Sequence, residues 1–278
     1  MSFLVVLLVL LIEKLTDWKS KVQHDGPWLR GLQRIEASEQ GKRSPWLVLL
    51  LGVLLPVLSL GALLLMLEPL AYGWLSLPLH LLVLLYSLGR GNAKRELGPF
   101  RDAWRRGDSE AAALVAERDL GLVAADQRSL LEVIQGHLLW RSHQGFFAVI
   151  FWYLLLGPMA ALAYRLLALA VENSQLPDVR ERAAQLQHAF DWLPVRVLLV
   201  SFGLVGNFVA VNRVLLSELL NWNITARQLL IQVGPEAADP GAAGAGEPGL
   251  ERLDDLEGLL VRARVFWYAI IAIWTILG

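Results

Sequence analysis

Long uncharged apolar segments alternate with charged loops along most of the chain. The clearest is residues 46–67, which contain no charged side chain and reach the roughly 20 residues that a helix needs to cross the hydrocarbon core of a bilayer. Pro45 stands at its start, and Pro56 lies inside it, where a bend is expected. Residues 70–88 form the next apolar segment. Because the connection is short, the two segments predict a tight helical hairpin.

Two later segments, residues 146–171 and 194–220, are expected to cross outward and back, which leaves residues 172–191 on the opposite face of the membrane. Gly157-Pro158 interrupts the first of them, a break that two half-helices of a re-entrant segment would also contain. Shorter apolar runs stand near the two ends, at residues 3–12 and 265–277. The pattern predicts an all-α, polytopic membrane protein with about five or six apolar segments.

The polar segments supply the orientation and the domain boundaries. Loop 89–145 is rich in arginine, and by the positive-inside rule loops 13–45 and 89–145 are expected to be cytoplasmic. Within the second loop, helical periodicity behind N-caps at Asp108 or Ser109 and at Asp126 predicts a cytoplasmic helical subdomain. In the first, Trp28, Leu32 and Ile35 predict a helix on the membrane surface. The expected parts are residues 1–88 (apolar segment, surface loop and hairpin), 89–145 (helical loop), 146–220 (two-span core), 221–249 (flexible linker) and 250–278 (amphipathic helix and apolar segment).

Composition agrees with a membrane protein and excludes several other classes. Hydrophobic residues make up 55% of the chain and charged residues 18%, which is too apolar for an ordinary soluble domain. A net charge of -1 argues against nucleic-acid binding, and the absence of cysteine removes thiolate chemistry and thiolate metal sites. The glycines of residues 244–249 match a dinucleotide pattern, but no strand precedes them. No catalytic residue and no metal site are predicted from such motifs.

Charged side chains inside the apolar segments are the remaining candidates for function. Arg165 and Glu172 share one helical face, as do Arg196 and Asn207 on the following segment. Charges within a membrane are costly, so these groups should face the protein interior and be partnered. Two interpretations stay open. They form a polar clamp between helices, or the guanidinium groups bind a phosphate or carboxylate of an anionic ligand.

The order of several short motifs resembles a known family of membrane proteins. The segment GPMAALAYRLLALA is followed about twenty residues later by FDWLPVRV, and is preceded by FFAVIFW and by Glu117-Arg118-Asp119. This order resembles the CbiB/CobD membrane family, and within it the AmpE branch, over roughly residues 109–196. The resemblance implies a multi-pass protein of the bacterial inner membrane. For CbiB enzymes it further implies an ATP-dependent amide ligase whose acidic and amide side chains suit magnesium and phosphate chemistry.

Most of those acidic and amide positions are replaced here. Trp140, Arg141 and Gln144 stand in one expected cluster, residues 168–171 are apolar, and Gln187-His188 replaces an acidic pair. The sequence therefore favours a protein that is not an enzyme, with ATP and magnesium implied only by the ligase resemblance. What remains of the pattern predicts an anion or nucleotide pocket lined by Arg118, Asp119, Tyr164, Arg165, Asp191 and Arg196, and framed by Gly157, Pro158 and Pro194.

The AmpE resemblance implies a regulatory role in the induction of chromosomal β-lactamase. Its implied partners are membrane lipid and, functionally, the amidase AmpD and cell-wall recycling, while a homodimer stays open. One alternative is an amide ligase related to adenosylcobinamide-phosphate synthase, with metal ligands moved to Glu117, Asp119, Glu172 or Asp191. A transporter of cell-wall fragments is the other, suggested by the broken helix.

Overall fold

A computed structural model of the protein describes residues 4–9, 24–67, 69, 76–89, 96–238 and 250–277. No strand occurs in these ranges, so the all-α prediction is confirmed for them. Residues 4–9 are helical, and single turns of π-helix at Leu50–Leu54 and His143–Phe147 join α3 to α4 and α8 to α9. The helices are α1 (Gly26–Ala37), α2 (Glu39–Arg43), α3 (Pro45–Leu49), α4 (Leu55–Leu67), α5 (Ser76–Ser87), α6 (Gly98–Arg105), α7 (Ser109–Leu120), α8 (Gln127–Ser142), α9 (Ala148–Leu156), α10 (Pro158–Asn173), α11 (Pro177–Val205), α12 (Phe208–Glu218), α13 (Ala226–Ala237) and α14 (Leu250–Leu277).

The chain divides into two compact units. Unit 1 contains residues 1–90 and 144–191, and unit 2 contains residues 91–143 and 192–278. The division into five parts drawn from the sequence stays a prediction, with one correction. Residues 226–237, expected in a flexible linker, form helix α13, because Thr225 and Gln228 build a capping box and Leu229 and Val233 are buried. The rest of that linker, residues 239–249, lies outside the described residues.

Two described helices are long and apolar enough to cross a membrane. They are Pro45–Leu67, with 23 residues, and Pro177–Val205, with 29. Helix α5 is apolar but shorter. Of the expected terminal segments, residues 3–12 are described only at 4–9, whereas residues 265–277 form the last part of α14. Five or six spans are therefore not established by the described residues, whereas a membrane protein with at least two such helices is consistent with them.

The proline inside the first long helix leaves a carbonyl that a tryptophan satisfies. Pro56 has no N–H with which to bind the carbonyl of Gly52, four residues earlier. Trp28 of α1 donates its indole Nε1–H to that oxygen at 2.8 Å. Leu32 is buried in the same core as Val48 and Val53. The apolar face of α1 therefore packs against protein, and the placement of α1 on the membrane surface stays a prediction.

The second long helix repeats this arrangement. Pro194 lies inside α11 and cannot bind the carbonyl of Phe190. Trp152 of α9 donates its indole N–H to that oxygen at 3.1 Å, and its ring lies against the Phe190 ring with centroids 5.0 Å apart. The side chain that satisfies the backbone therefore also fixes α9 to α11.

Gly157 reverses the chain between α9 and α10. Its φ of 79° is left-handed, and Pro158 begins the next helix. Helices α9 and α10 pack against each other, and Trp152 and Tyr164 bond to the adjacent residues Phe190 and Asp191. The two helices form an antiparallel hairpin in place of the single crossing expected for residues 146–171.

This reversal changes which loops lie together. Glu36, at the end of α1, accepts hydrogen bonds from Ser174 and from the Gln175 N–H, just after α10. The expectation that residues 13–45 and 172–191 lie on opposite faces is not supported by these contacts, because Gly157 brings the chain back. The expected span 194–220 is also interrupted, at residues 206–207, where Asn207 caps α12 by accepting from the Ala210 N–H.

Unit 2 contains the predicted helical subdomain. Asp108 caps α7, and Asp126 forms a capping box with Ser129 at the start of α8, so both N-caps are confirmed. Arg101 of α6 is buried and donates to Asp254 and Glu257 of α14. This ion pair holds the last helix against the subdomain.

Removing the indole N–H of Trp28 should destabilise the protein more when Pro56 is present than when it is replaced. Trp28→Phe leaves the Gly52 carbonyl without its donor, so we expect the protein to lose about 1–3 kcal/mol of stability. In a Pro56→Ala background the new backbone N–H at position 56 supplies the bond, and the cost of Trp28→Phe should shrink. Thermal unfolding in detergent measures both. Trp46→Phe, at an exposed indole, is the control, and equal costs in the two backgrounds would contradict the assignment.

Candidate functional site

Two adjacent residues of α10 form separate buried polar contacts in unit 1. The hydroxyl of Tyr164 donates to Oδ1 of Asp191 at 2.7 Å, and both side chains are buried. Gln187 lies beside the same hydroxyl. The sequence marked Tyr164 and Asp191 as site residues, and the structure brings these two together.

Arg165 binds a partner that the sequence did not indicate. Its Nη2 donates to Oδ2 of Asp25 at 3.1 Å, with the arginine 8% and the aspartate 2% exposed. Asp25 precedes α1, but its carboxylate makes no capping bond to that helix. The Nε of Arg165 is buried and has no hydrogen-bond partner among the described residues. The guanidinium thus has one carboxylate bond and an unused donor.

A second buried carboxylate holds the other end of α1. Glu36 accepts from the Ser174 hydroxyl at 2.5 Å and from the Gln175 N–H at 3.3 Å. Arg180 donates to the Ser174 carbonyl at 2.6 Å. Glu36 lies four residues after Leu32, on the buried face of α1, and a carboxylate on an apolar helical face is the signal that could have identified it. Together, Asp25 and Glu36 fasten both ends of α1 to α10 and the residues after it.

Arg196, in unit 2, donates four hydrogen bonds to backbone carbonyls. It is 4% exposed and donates to the carbonyls of Trp192, Glu218, Leu219 and Asn221, while its guanidinium lies 4.1 Å from the centroid of the Trp192 ring. Three of these oxygens belong to the last turn of α12 and the residues after it, which have no partner within the helix. Of the two interpretations left open by the sequence, Arg196 shows the geometry of the polar clamp.

Arg118 and Asp119, also in unit 2, bind each other at the surface. Nε and Nη2 of Arg118 donate to the two carboxylate oxygens at 2.6 and 2.9 Å. This hydrogen bonding raises the pKa of Arg118 and lowers the pKa of Asp119 relative to their ordinary values. The arginine side chain is 73% exposed, and ion pairs at such positions contribute little to stability.

The acidic residues suggested as relocated metal ligands have different surroundings. Asp191 is bonded to Tyr164 and Asp119 to Arg118, whereas Glu172 is exposed. Within the described ranges, no three or more His, Asp or Glu side chains are arranged to hold a metal ion. The donor set for magnesium that a CbiB-type ligase would require is therefore not assembled by these residues.

Comparison with known proteins gives one family. Residues 1–234 match the family described as "Regulatory signalling modulator protein AmpE". Protein AmpE of Shigella flexneri is 25% identical over 220 residues, which cover 74% of this chain and 75% of that protein. No solved structure matches the chain. The resemblance to AmpE drawn from the sequence is confirmed, and the wider relation to CbiB/CobD stays a prediction.

Replacing the guanidinium of Arg196 by the ammonium of lysine should destabilise the protein. In Arg196→Lys, a single ammonium group replaces a planar guanidinium that reaches four carbonyls and stacks on Trp192. We expect a loss of about 1–3 kcal/mol, because buried carbonyls lose their donors. Thermal unfolding in detergent measures it. Arg213→Lys, at an exposed arginine of α12, is the matched control, and equal melting temperatures for the two variants would contradict the clamp.

A histidine in α8 should make stability depend on pH. Burial, with lesser effects from Arg141 and Arg227, lowers the pKa of His137 from 6.5 to about 4. The unfolded chain therefore binds a proton near pH 6.5 while the folded chain stays neutral, so stability falls as the pH drops from about 6.5 towards 4. The melting temperature of His137→Gln should decline less over this range. His24→Gln, at an exposed histidine, should follow the wild type, and a wild-type slope in His137→Gln would contradict the prediction.

Proposed function

Because the chain belongs to the AmpE family of regulatory signalling modulator proteins, we propose that it modulates the induction of chromosomal β-lactamase from the bacterial inner membrane. Family membership supports the signalling role, and the two long apolar helices support the membrane location. The inner membrane, the cytoplasmic placement of loops 13–45 and 89–145, and the functional link to AmpD and cell-wall recycling belong to the proposal.

We place reception of the signal at Arg165. A buried guanidinium can bind a carboxylate or phosphate through two parallel hydrogen bonds, but Arg165 has one bond to Asp25 and an unused Nε donor. An anionic ligand, such as the carboxylate of a cell-wall fragment or a phosphate, would complete this set by replacing Asp25. The incompletely bonded, buried guanidinium is the observation that carries the proposal.

Displacement of Asp25 from Arg165 would release one end of α1, and a movement of α1 would affect the rest of unit 1. Removing one partner of a buried ion pair leaves an uncompensated charge, which costs several kcal/mol. A neutral molecule cannot offset that cost, so the exchange selects for an anion. Once its first end is released, α1 remains held by Glu36 and by the Trp28 bond to Gly52. A shift of this tethered helix is the proposed output.

The wider pocket predicted from the sequence remains a proposal. Tyr164 and Asp191 belong to unit 1 together with Arg165, whereas Arg118, Asp119 and Arg196 belong to unit 2. The ligase and transporter alternatives also stay predictions, and no contact among the described residues favours either one. Magnesium-dependent ATP turnover by the purified protein would be the direct test of the ligase.

If an anionic ligand replaces Asp25 at Arg165, substitutions of Arg165 and of Asp25 should have opposite effects on induction. Arg165→Gln removes the anion-binding group, so β-lactamase induction should fall well below the wild-type level. Asp25→Asn removes the competing carboxylate, so induction should occur at a lower inducer concentration. Both are measured with variants that replace the chromosomal copy of the gene, at matched protein levels and with melting temperatures recorded in detergent.

Arg30→Gln is the control, since it removes an exposed arginine from α1 itself. Full induction by a normally folded Arg165→Gln variant would refute the assignment of the site. If the Asp25→Asn variant instead requires more inducer, the proposal that Asp25 competes with the ligand for Arg165 is wrong.

A further inference from the structure

We infer that α9 and α10 form a re-entrant hairpin. It enters the bilayer from the face that carries residues 24–44, places its tip at Leu154–Leu156 among lipid acyl chains, and leaves through the same face. This inference is independent of the proposed function, because it concerns how unit 1 meets the membrane.

The contacts of α10 define its direction relative to the first long helix. Near its start, Met159 lies against Gly61, in the later half of Pro45–Leu67. Near its end, Ser174 is bonded to Glu36, shortly before Pro45. Helix α10 therefore runs antiparallel to the long helix and ends where that helix begins. At 1.5 Å per residue, Gly61 lies about 24 Å from Pro45 and about 9 Å short of Leu67.

The contacts of α9 give the other arm of the hairpin. Nδ1 of His80 lies 3.1 Å from the hydroxyl of Tyr153, and the Gly89 N–H donates to the Gly145 carbonyl at 2.6 Å. These pairs show that α9 is antiparallel to α5. Because α9 is antiparallel to both α5 and α10, and α10 is antiparallel to the long helix, the last residues of α5 lie towards the Pro45 end of that helix. Gly145 and Ser174, before and after the hairpin, thus belong to one end of unit 1.

The tip has the side chains that a lipid environment requires. Leu154, Leu155 and Leu156 are 38%, 57% and 63% exposed, and no charged residue lies between Gly145 and Ala163. The neighbouring end of the long helix exposes Leu63, Leu65 and Met66. The tip therefore continues the apolar surface of a helix with membrane-spanning length, and we assign acyl chains as the occupant of this surface.

The backbone of the turn also suits burial in lipid, where unsatisfied polar groups are costly. The Gly157 N–H donates to the Tyr153 carbonyl at 2.9 Å, and the Gly157 carbonyl accepts from the Ala161 N–H at 3.4 Å. Pro158 has no N–H to satisfy. Neither Gly157 nor Pro158 therefore contributes a free N–H to the turn.

Single cysteines test the inference directly, because the chain contains none. Glu39→Cys, Leu155→Cys and Glu181→Cys each replace an exposed residue. A membrane-impermeant maleimide is applied to spheroplasts and to inside-out vesicles that contain the full-length protein. We expect the cysteines at 39 and 181 to react from the same side, and the one at 155 to react only after detergent is added. A fluorophore on Leu155→Cys should be quenched by lipids with brominated acyl chains.

Reaction of the cysteines at 39 and 181 from opposite sides would overturn the hairpin, since one crossing would then separate them. Reaction at 155 from water in intact membranes, or no quenching by brominated lipid, would overturn the lipid-buried tip. Melting temperatures close to that of the wild type show that each cysteine variant keeps the fold. Induction assays do not enter this test, so its failure is distinct from failure of the proposed function.

Discussion

Unit 1 depends on satisfying two backbone carbonyls that prolines deprive of their helical partners. Pro56 and Pro194 lie inside the two helices of the described residues that are long and apolar enough to cross a membrane. An unpaired carbonyl is costly in an apolar environment because no water can replace the missing donor. An indole N–H from another helix supplies each bond. The two proline sites are therefore attachment points, one for α1 and one for the α9–α10 hairpin.

Buried carboxylates are likewise bonded by donors from another part of unit 1. Asp25 and Glu36 stand at the two ends of α1, and each is bonded to α10 or to the residues just after it. The Glu36 carboxylate accepts from a hydroxyl and an amide N–H, whereas the Asp25 carboxylate accepts from a guanidinium whose Nε has no hydrogen-bond partner among the described residues. The Glu36 contact is made by neutral donors, whereas the Asp25 contact is an ion pair. In the proposed function, an anionic ligand replaces Asp25 in this ion pair and the Glu36 contact stays in place.

Much of the fold follows from local patterns in the sequence. Absence of charge identifies the helix Pro45–Leu67, and side-chain chemistry identifies the caps at Asp108 and Asp126. The sidedness of residues 172–191 could not be obtained in this way. Hydropathy measures how apolar a segment is but not its direction, so the reversal at Gly157 was counted as a crossing. The linker was misjudged for a related reason, because its glycines and prolines outweighed the apolar periodicity of residues 226–237.

The candidate site also shows what local sequence patterns cannot predict. Its two buried arginines, Arg165 and Arg196, have different partners that no motif indicates. Tyr164 and Asp191 could be marked from the family pattern, but Asp25, 140 residues before Arg165 in the chain, has no signature that links it to that arginine. A motif shows that an arginine is present and does not show how many of its donors are used. Arg196 donates to the carbonyls at the end of α12, so an anion that bound Arg196 would have to displace these carbonyls. At Arg165, one carboxylate could be exchanged for another with the charge still compensated, and for this reason the proposed reception of the signal is assigned to Arg165 and not to Arg196.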